Sequence, residues 1–294
     1  MNSTPKIIMW LLVTLIFSSC SEQKDDRAPN RGQSNGSADG AQSSVVQGDE
    51  IDVPAKNFAR YSSGNVGDSS PQIPAGLKTA SYTSSDGEGG EYTLFAPSDN
   101  QARGLLVYLH GSGNAAAYAS AMNGIKTVAD QFDLIPLLVK TSRTDSWLEG
   151  GVANLVYLDE IIEKEVMANL NIDKQKVFFA GVSGGAVFLT GYFVPRYGYK
   201  YRGGAICLCG GEMSILNGIG GIYLNEDLKN YLPIVFYTQQ EDYMYDQVRG
   251  GEAYYRSKGL KVTAQYPEGG SHCGFNTNQI LGEKIQQLLA NMPK

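Results

Sequence analysis

The stretch Val177-Phe178-Phe179-Ala180-Gly181-Val182-Ser183-Gly184-Gly185-Ala186-Val187-Phe188 moves from an apolar, β-rich run through Gly-x-Ser-x-Gly into a second apolar run with the look of a helix. A serine at the tip of a sharp strand-to-helix turn has its hydroxyl exposed on a strained backbone, and its neighbours two residues away must be tiny for the chain to reverse. The helix start behind it turns backbone N–H groups toward any anion that forms at the hydroxyl. Such a turn supports nucleophilic attack by Ser183, given a base within reach. The chain holds only two histidines, His110 and His272, so a histidine-dependent reaction must use one of them. Gly32-Gln33-Ser34-Asn35-Gly36 also matches the pentapeptide, but it lies in a polar tract with no strand before it, and that copy reads as composition alone.

Positioning such a serine takes a sheet. Short apolar runs recur at Gly104–Leu109, Leu134–Val139, Val177–Ala180, Ala205–Leu208, Ile234–Tyr237 and Val262–Tyr266. Continuous apolar runs without alternation suit parallel strands buried on both faces. Leu77–Tyr82 and Tyr92–Phe95, joined through a Gly-rich segment, read as an antiparallel hairpin. Leu155, Leu158, Ile162 and Val166 share one helix face, and so do Leu281, Ile285, Leu288 and Leu289. The expected architecture is an α/β three-layer sandwich with a mostly parallel sheet and an N-terminal antiparallel hairpin.

A strand opens into a Gly-rich loop at Leu105-Leu106-Val107-Tyr108-Leu109-His110-Gly111-Ser112-Gly113. This His-Gly-x-Gly, followed about seventy residues later by Gly-x-Ser-x-Gly, resembles the α/β-hydrolase superfamily over about residues 77–294. Among its branches, the polyhydroxybutyrate depolymerase and feruloyl or acetylxylan esterase-like lipoproteins look most similar, because Trp147 to Val177 resembles their run-up to the nucleophile. The resemblance implies the chain order serine, acid, histidine, which makes His272 the base and leaves His110 to hold the loop. It implies backbone N–H groups of Ser112 and Gly184 as the oxyanion hole. It also points to Asp242 as the acid, in Tyr237-Thr238-Gln239-Gln240-Glu241-Asp242, although Gln239 stands where the family has glycine. Glu241, Asp246 and Glu212 remain alternatives for the acid. The activity implied is that of a serine carboxylic ester hydrolase on acyl, feruloyl or polyester-type substrates, small or polymeric. The competing readings are acyl transfer or peptide cleavage by the same triad, and a catalytically silent lipoprotein that keeps the fold for binding.

The chain starts with Lys6 and the apolar run Ile7–Phe17, too short to span a bilayer and typical of a signal peptide. Phe17-Ser18-Ser19-Cys20 then resembles a bacterial lipobox, so residues 1–19 read as a lipoprotein signal and Cys20 as a lipid-bearing membrane anchor. Residues 20–75, rich in Ser, Gly, Asn, Gln and Asp, read as a disordered tether, and 76–294 as the catalytic domain. The expected location is the bacterial cell envelope, on the periplasmic or cell-surface side. Of the other cysteines, Cys207 and Cys209 should point the same way from one strand, and Cys273 should lie near that strand's end. An exported chain permits a disulfide, expected between Cys209 and Cys273, with buried free thiols as the alternative. Trp147 and Tyr243 are candidate pocket residues, each with a core role as the alternative. No Cys-x-x-Cys or His-x-x-x-His spacing occurs, so no metal or other cofactor is expected. A formal charge of −6 argues against a nucleic-acid partner, and a monomer is expected.

Overall fold

A computed structural model of the chain describes residues 73–215 and 232–292. The signal segment, Cys20, the tether to residue 72 and the Gly32–Gly36 pentapeptide lie outside the described residues.

Eight strands form one sheet in the order β1-β2-β4-β3-β5-β6-β7-β8. They are β1 (Gly76–Thr83), β2 (Gly89–Ala96), β3 (Arg103–Leu109), β4 (Leu134–Val139), β5 (Ile172–Val182), β6 (Gly204–Leu208), β7 (Ile234–Tyr237) and β8 (Val262–Gln265). β1 and β2 form the antiparallel hairpin, β2 joins β4 antiparallel, and every other pairing is parallel.

The unbroken apolar runs are explained by cover on both faces. Along β5, Val177 and Phe179 join one core cluster while Phe178 and Ala180 join the other, as a period-2 strand requires. The first cluster is closed by the helix Trp147–Glu160 with its π-helical continuation Ile161–Met167, by the segment after Ser183, and by the helix Tyr245–Ser257. Leu155, Leu158, Ile162 and Val166 all face into it. The helices Met122–Asp130 and Thr277–Ala290 cover the other face through Ile125, Val128, Leu281 and Ile285. Each of these buried side chains stabilises the fold by about 1.5–3 kcal/mol before chain entropy is subtracted. The result is three layers, mostly parallel in the middle, as the sequence leads one to expect.

Parallel strands end on one edge, so the loops after β3, β5, β6, β7 and β8 gather there. One expectation fails at that edge. Cys207 and Cys209 do not point the same way: Cys207 lies in the first core cluster and Cys209 in the second. β6 ends at Leu208, and Cys209 adopts the left-handed φ of 45°, which breaks the strand's alternation.

Candidate active site

Ser183 sits at the point where β5 gives way to the helix Gly184–Phe188. Its backbone is strained, at φ 49° and ψ −117°. Such a conformation costs on the order of 1–3 kcal/mol and persists only where the surroundings hold it. They do so here: the Ser183 N–H donates to the Leu208 carbonyl at 2.9 Å, and its own carbonyl accepts from the N–H groups of Ala186 (2.9 Å) and Val187 (3.0 Å). The flanking glycines are required by close approach. A Cβ at Gly181 would lie 2.6 Å from the Ala186 backbone, and one at Gly185 would lie 2.5 Å from the Leu109 carbonyl oxygen. Among the described residues, four non-glycine residues have positive φ, and Ser183, Cys209 and Cys273 are three of them.

His272, in the loop after β8, lies with Nε2 2.9 Å from Ser183 Oγ. Its Nδ1 is 2.9 Å from Asp242 Oδ1 and 3.0 Å from Oδ2. An ionised carboxylate only accepts, so Nδ1 carries the proton and donates it, which leaves Nε2 as the acceptor facing the serine hydroxyl. Asp242 is buried in the loop after β7, where the N–H of Met244 donates to Oδ1 at 2.9 Å and that of Cys273 to Oδ2 at 3.3 Å. Burial by itself would raise its pKa; the Met244 N–H, the His272 ring and the Cys273 N–H outweigh it and hold the carboxyl below its ordinary value.

The other acids stand elsewhere. Glu241 and Asp246 are exposed, and Glu212 accepts from Gln247 Nε2 at 2.7 Å and from the Met213 N–H. Burial raises the Glu212 pKa against those two hydrogen bonds. The departure at Gln239 has a counterpart across the site: any Cβ at Gly270 (φ 89°) would collide with the Gln239 carboxamide. The histidine loop thus carries the glycine that makes room for this side chain.

The loop after β3 supplies the other side of the serine. A Cβ at Gly184 would collide with Ser112 Oγ and stand 3.2 Å from the Ser112 nitrogen, so the two backbone N–H positions implied by the resemblance adjoin each other. Gly184→Ala is therefore expected to push this loop away and lower kcat about 10²-fold, the scale of losing one oxyanion donor. Steady-state kinetics on a short aryl ester, with circular dichroism as the fold control, measures it. His110 is buried, stays within this loop, and does not reach Ser183 by any hydrogen bond among the described residues. Thr141 N–H approaches its Nε2 at 3.4 Å, so Nδ1 holds the proton and donates to the Gly111 carbonyl at 2.8 Å. Burial lowers its pKa, and the ring stays neutral.

Trp147 is not a pocket wall. It is 0% exposed, opens the helix Trp147–Glu160, and packs between His110 and Phe188 with ring centroids 5.5 and 5.0 Å away. A large aromatic gains more from full burial than from standing in a loop, and the Ser146 side chain caps the helix in front of it. Tyr243, by contrast, is 77% exposed, with its ring centroid 4.4 Å from that of His272.

Cys209 and Cys273 are joined in a disulfide across 64 residues, with Cα atoms 5.2 Å apart. The bond ties the end of β6, which receives the Ser183 N–H through Leu208, to the residue after the histidine. Cys207 stays free and buried, and burial drives its thiol pKa up. His272, Cys209 and Cys273 have potential metal-ligand atoms within 4.8 Å of one another, but the disulfide leaves neither sulfur as a thiolate. Chain-entropy arguments for a loop of this length put the bond at about 4 kcal/mol. Reduction should lower Tm markedly and permit two alkylations at these positions, read by intact mass; an unchanged mass would show that the bridge is absent.

No family model matches the sequence, and no curated protein matches it either. Solved structures do resemble it. A fungal esterase from Rhizomucor miehei superposes with a TM-score of 0.54 at 14% identity, over 74% of this chain and 85% of that one. The fluorophosphonate-binding serine hydrolase F of Staphylococcus aureus gives 0.54 at 16% identity over 74% and 99%. A hyperthermophilic esterase from the archaeon Pyrobaculum calidifontis gives 0.56 at 11% identity over 75% and 85%. With its eight-stranded sheet, its antiparallel hairpin and helices on both faces, this chain has the α/β-hydrolase fold.

Proposed function

We propose that this chain is a serine-nucleophile carboxylic ester hydrolase. One observation carries the reading: Ser183 Oγ, His272 and buried Asp242 form an unbroken hydrogen-bonded relay, beside the N–H groups of Ser112 and Gly184. In the reaction, Ser183 Oγ attacks the ester carbonyl while His272 Nε2 takes its proton. The two N–H groups hold the oxyanion, and the imidazolium returns the proton to the leaving alcohol. Water then attacks the acyl-enzyme by the same route in reverse. Asp242 keeps the imidazole in the required tautomer and stays ionised throughout.

Esterases and a fluorophosphonate-binding hydrolase among the structural neighbours support this class of chemistry. A fluorophosphonate probe should label Ser183 and leave the Ser183→Ala protein unmarked; a wild-type protein that does not react sinks the proposal in favour of a binding scaffold. The sequence of residues 1–20 supports the further reading that the enzyme works in the cell envelope, anchored through lipid on Cys20. Membrane fractionation of a Cys20→Ala variant tests that, with retention in the membrane as the contrary result.

A further inference from the structure

A cleft of about 680 Å³ lies next to the loop after β3 and plays no part in the relay. Its walls come from Tyr82 and Glu91 in the hairpin, Ala115 just after the oxyanion loop, and Lys140, Thr144 and Asp145 after β4. That volume is in the range of ligand sites. The cleft is joined to the site by the backbone. Gly113 N–H donates to the Asp145 carbonyl at 2.9 Å, and Ser112 Oγ lies 3.3 Å from Ser146 Oγ. β4 is separated from β5 by β3 alone, so the end of β4 lies about 10 Å from that of β5, two strand spacings.

The lining selects its occupant. On the segment after β4 the hydroxyl hydrogens are committed within the protein: Thr141 Oγ1 donates to the Thr144 carbonyl, Ser142 Oγ to Asn154 Oδ1 at 2.9 Å, and Thr144 Oγ1 to the Ser146 carbonyl at 3.1 Å. What they have left to offer is lone pairs. The Lys140 and Asp145 side chains make no hydrogen bond or ion pair with another described residue, and they supply one cation and one anion whose charges largely cancel. A hydrocarbon chain laid here would strip water from both charges and repay neither. A neutral group dense in hydroxyls can donate to the oxygens and accept from the lysine.

The side of the site on which the cleft lies sets which half of the ester it receives. His272 Nε2 must hand its proton to the leaving oxygen, so the alcohol departs on the flank of β7 and β8. The cleft lies on the opposite flank, on the β4 side of β3. Taking the ester-hydrolase reading of the previous section as its basis, we propose that this cleft is a subsite for a polyhydroxylated acyl group, and that the preferred substrates are esters of sugar acids.

The test compares methyl glucuronate with methyl butyrate, two esters of one alcohol. Wild-type kcat/KM should favour the glucuronate by at least about tenfold, and Lys140→Ala and Asp145→Ala should each shrink that ratio by about tenfold, the worth of a hydrogen bond to a charged group. No preference, a ratio unmoved by both substitutions, or a higher rate on acetylated glucose, where the sugar is the alcohol, each overturns the subsite. Binding of methyl glucuronate to Ser183→Ala, weakened by Lys140→Ala, reads the cleft without the reaction. Binding retained with no ester cleaved by wild type would count against the hydrolase reading and leave the subsite standing; absence of binding overturns the subsite whatever the activity.

Discussion

Replacing Ser183 by alanine is expected to lower kcat on a short-chain aryl ester by about 10⁶-fold, with KM little changed. The magnitude follows from the relay acting as a unit: without Oγ there is no nucleophile, and the base has nothing to activate. Backbone N–H groups can still polarise the carbonyl, so a residual rate above that in water remains. The substitution removes one hydroxyl and leaves the turn intact, because the strained φ of 49° is held by backbone bonds to Leu208, Ala186 and Val187. Single-turnover and steady-state assays together read it; a rate within tenfold of wild type would mean that another group carries the chemistry.

The second large effect is expected from Asp242→Asn, a loss of about 10⁴-fold in kcat at neutral pH. The carboxamide is nearly isosteric but has a single acceptor oxygen, which serves the Met244 N–H at the Oδ1 position, while the longer Cys273 contact at Oδ2 is given up to the NH₂. Its NH₂ would donate to His272 Nδ1, driving the ring proton to Nε2, the atom that must accept from Ser183. A full-sized wild-type rate in this variant would remove Asp242 from the relay. The direction with pH follows from the lowered carboxyl pKa. Asp242 is ionised above the ordinary carboxylate range, and the stability it contributes is fully present above an unfolded value near 3.9. That contribution is lost as pH falls through the lower folded value, so acid unfolding of wild type should begin at lower pH than the same measurement on a variant with a weakened Asp242 site.

How much of this was legible in the sequence differs from residue to residue. Ser183 stands out because a local rule governs it: strand, two obligatory glycines and helix occupy consecutive positions. The strands read clearly because cover on both faces leaves Val177, Phe178, Phe179 and Ala180 uniformly apolar. Asp242 was harder, since its glycine partner lies on another loop at Gly270, and no local pattern links Gln239 to a residue across the site. The relation of Cys207 to Cys209 was misread because strand periodicity carries only as far as the strand, and β6 ends at Leu208. Trp147 was ambiguous for a similar reason: whether an aromatic beside a loop is walled in depends on Phe188 and His110, which come from other segments.

The sequence by itself determined the fold class, and it singled out the nucleophile of the proposed reaction and the small set of groups that could serve it, with two histidines and a few acids to choose from. These follow from short-range physics: hydrophobic periodicity, turn sterics and the absence of other bases. Tertiary structure decided which carboxylate meets His272, which cysteine meets Cys273, and that a polar cleft stands beside the oxyanion loop. Those are distances between loops from different strands, brought to one edge only because the sheet is parallel, and pairwise reach across that edge has no signature along the chain.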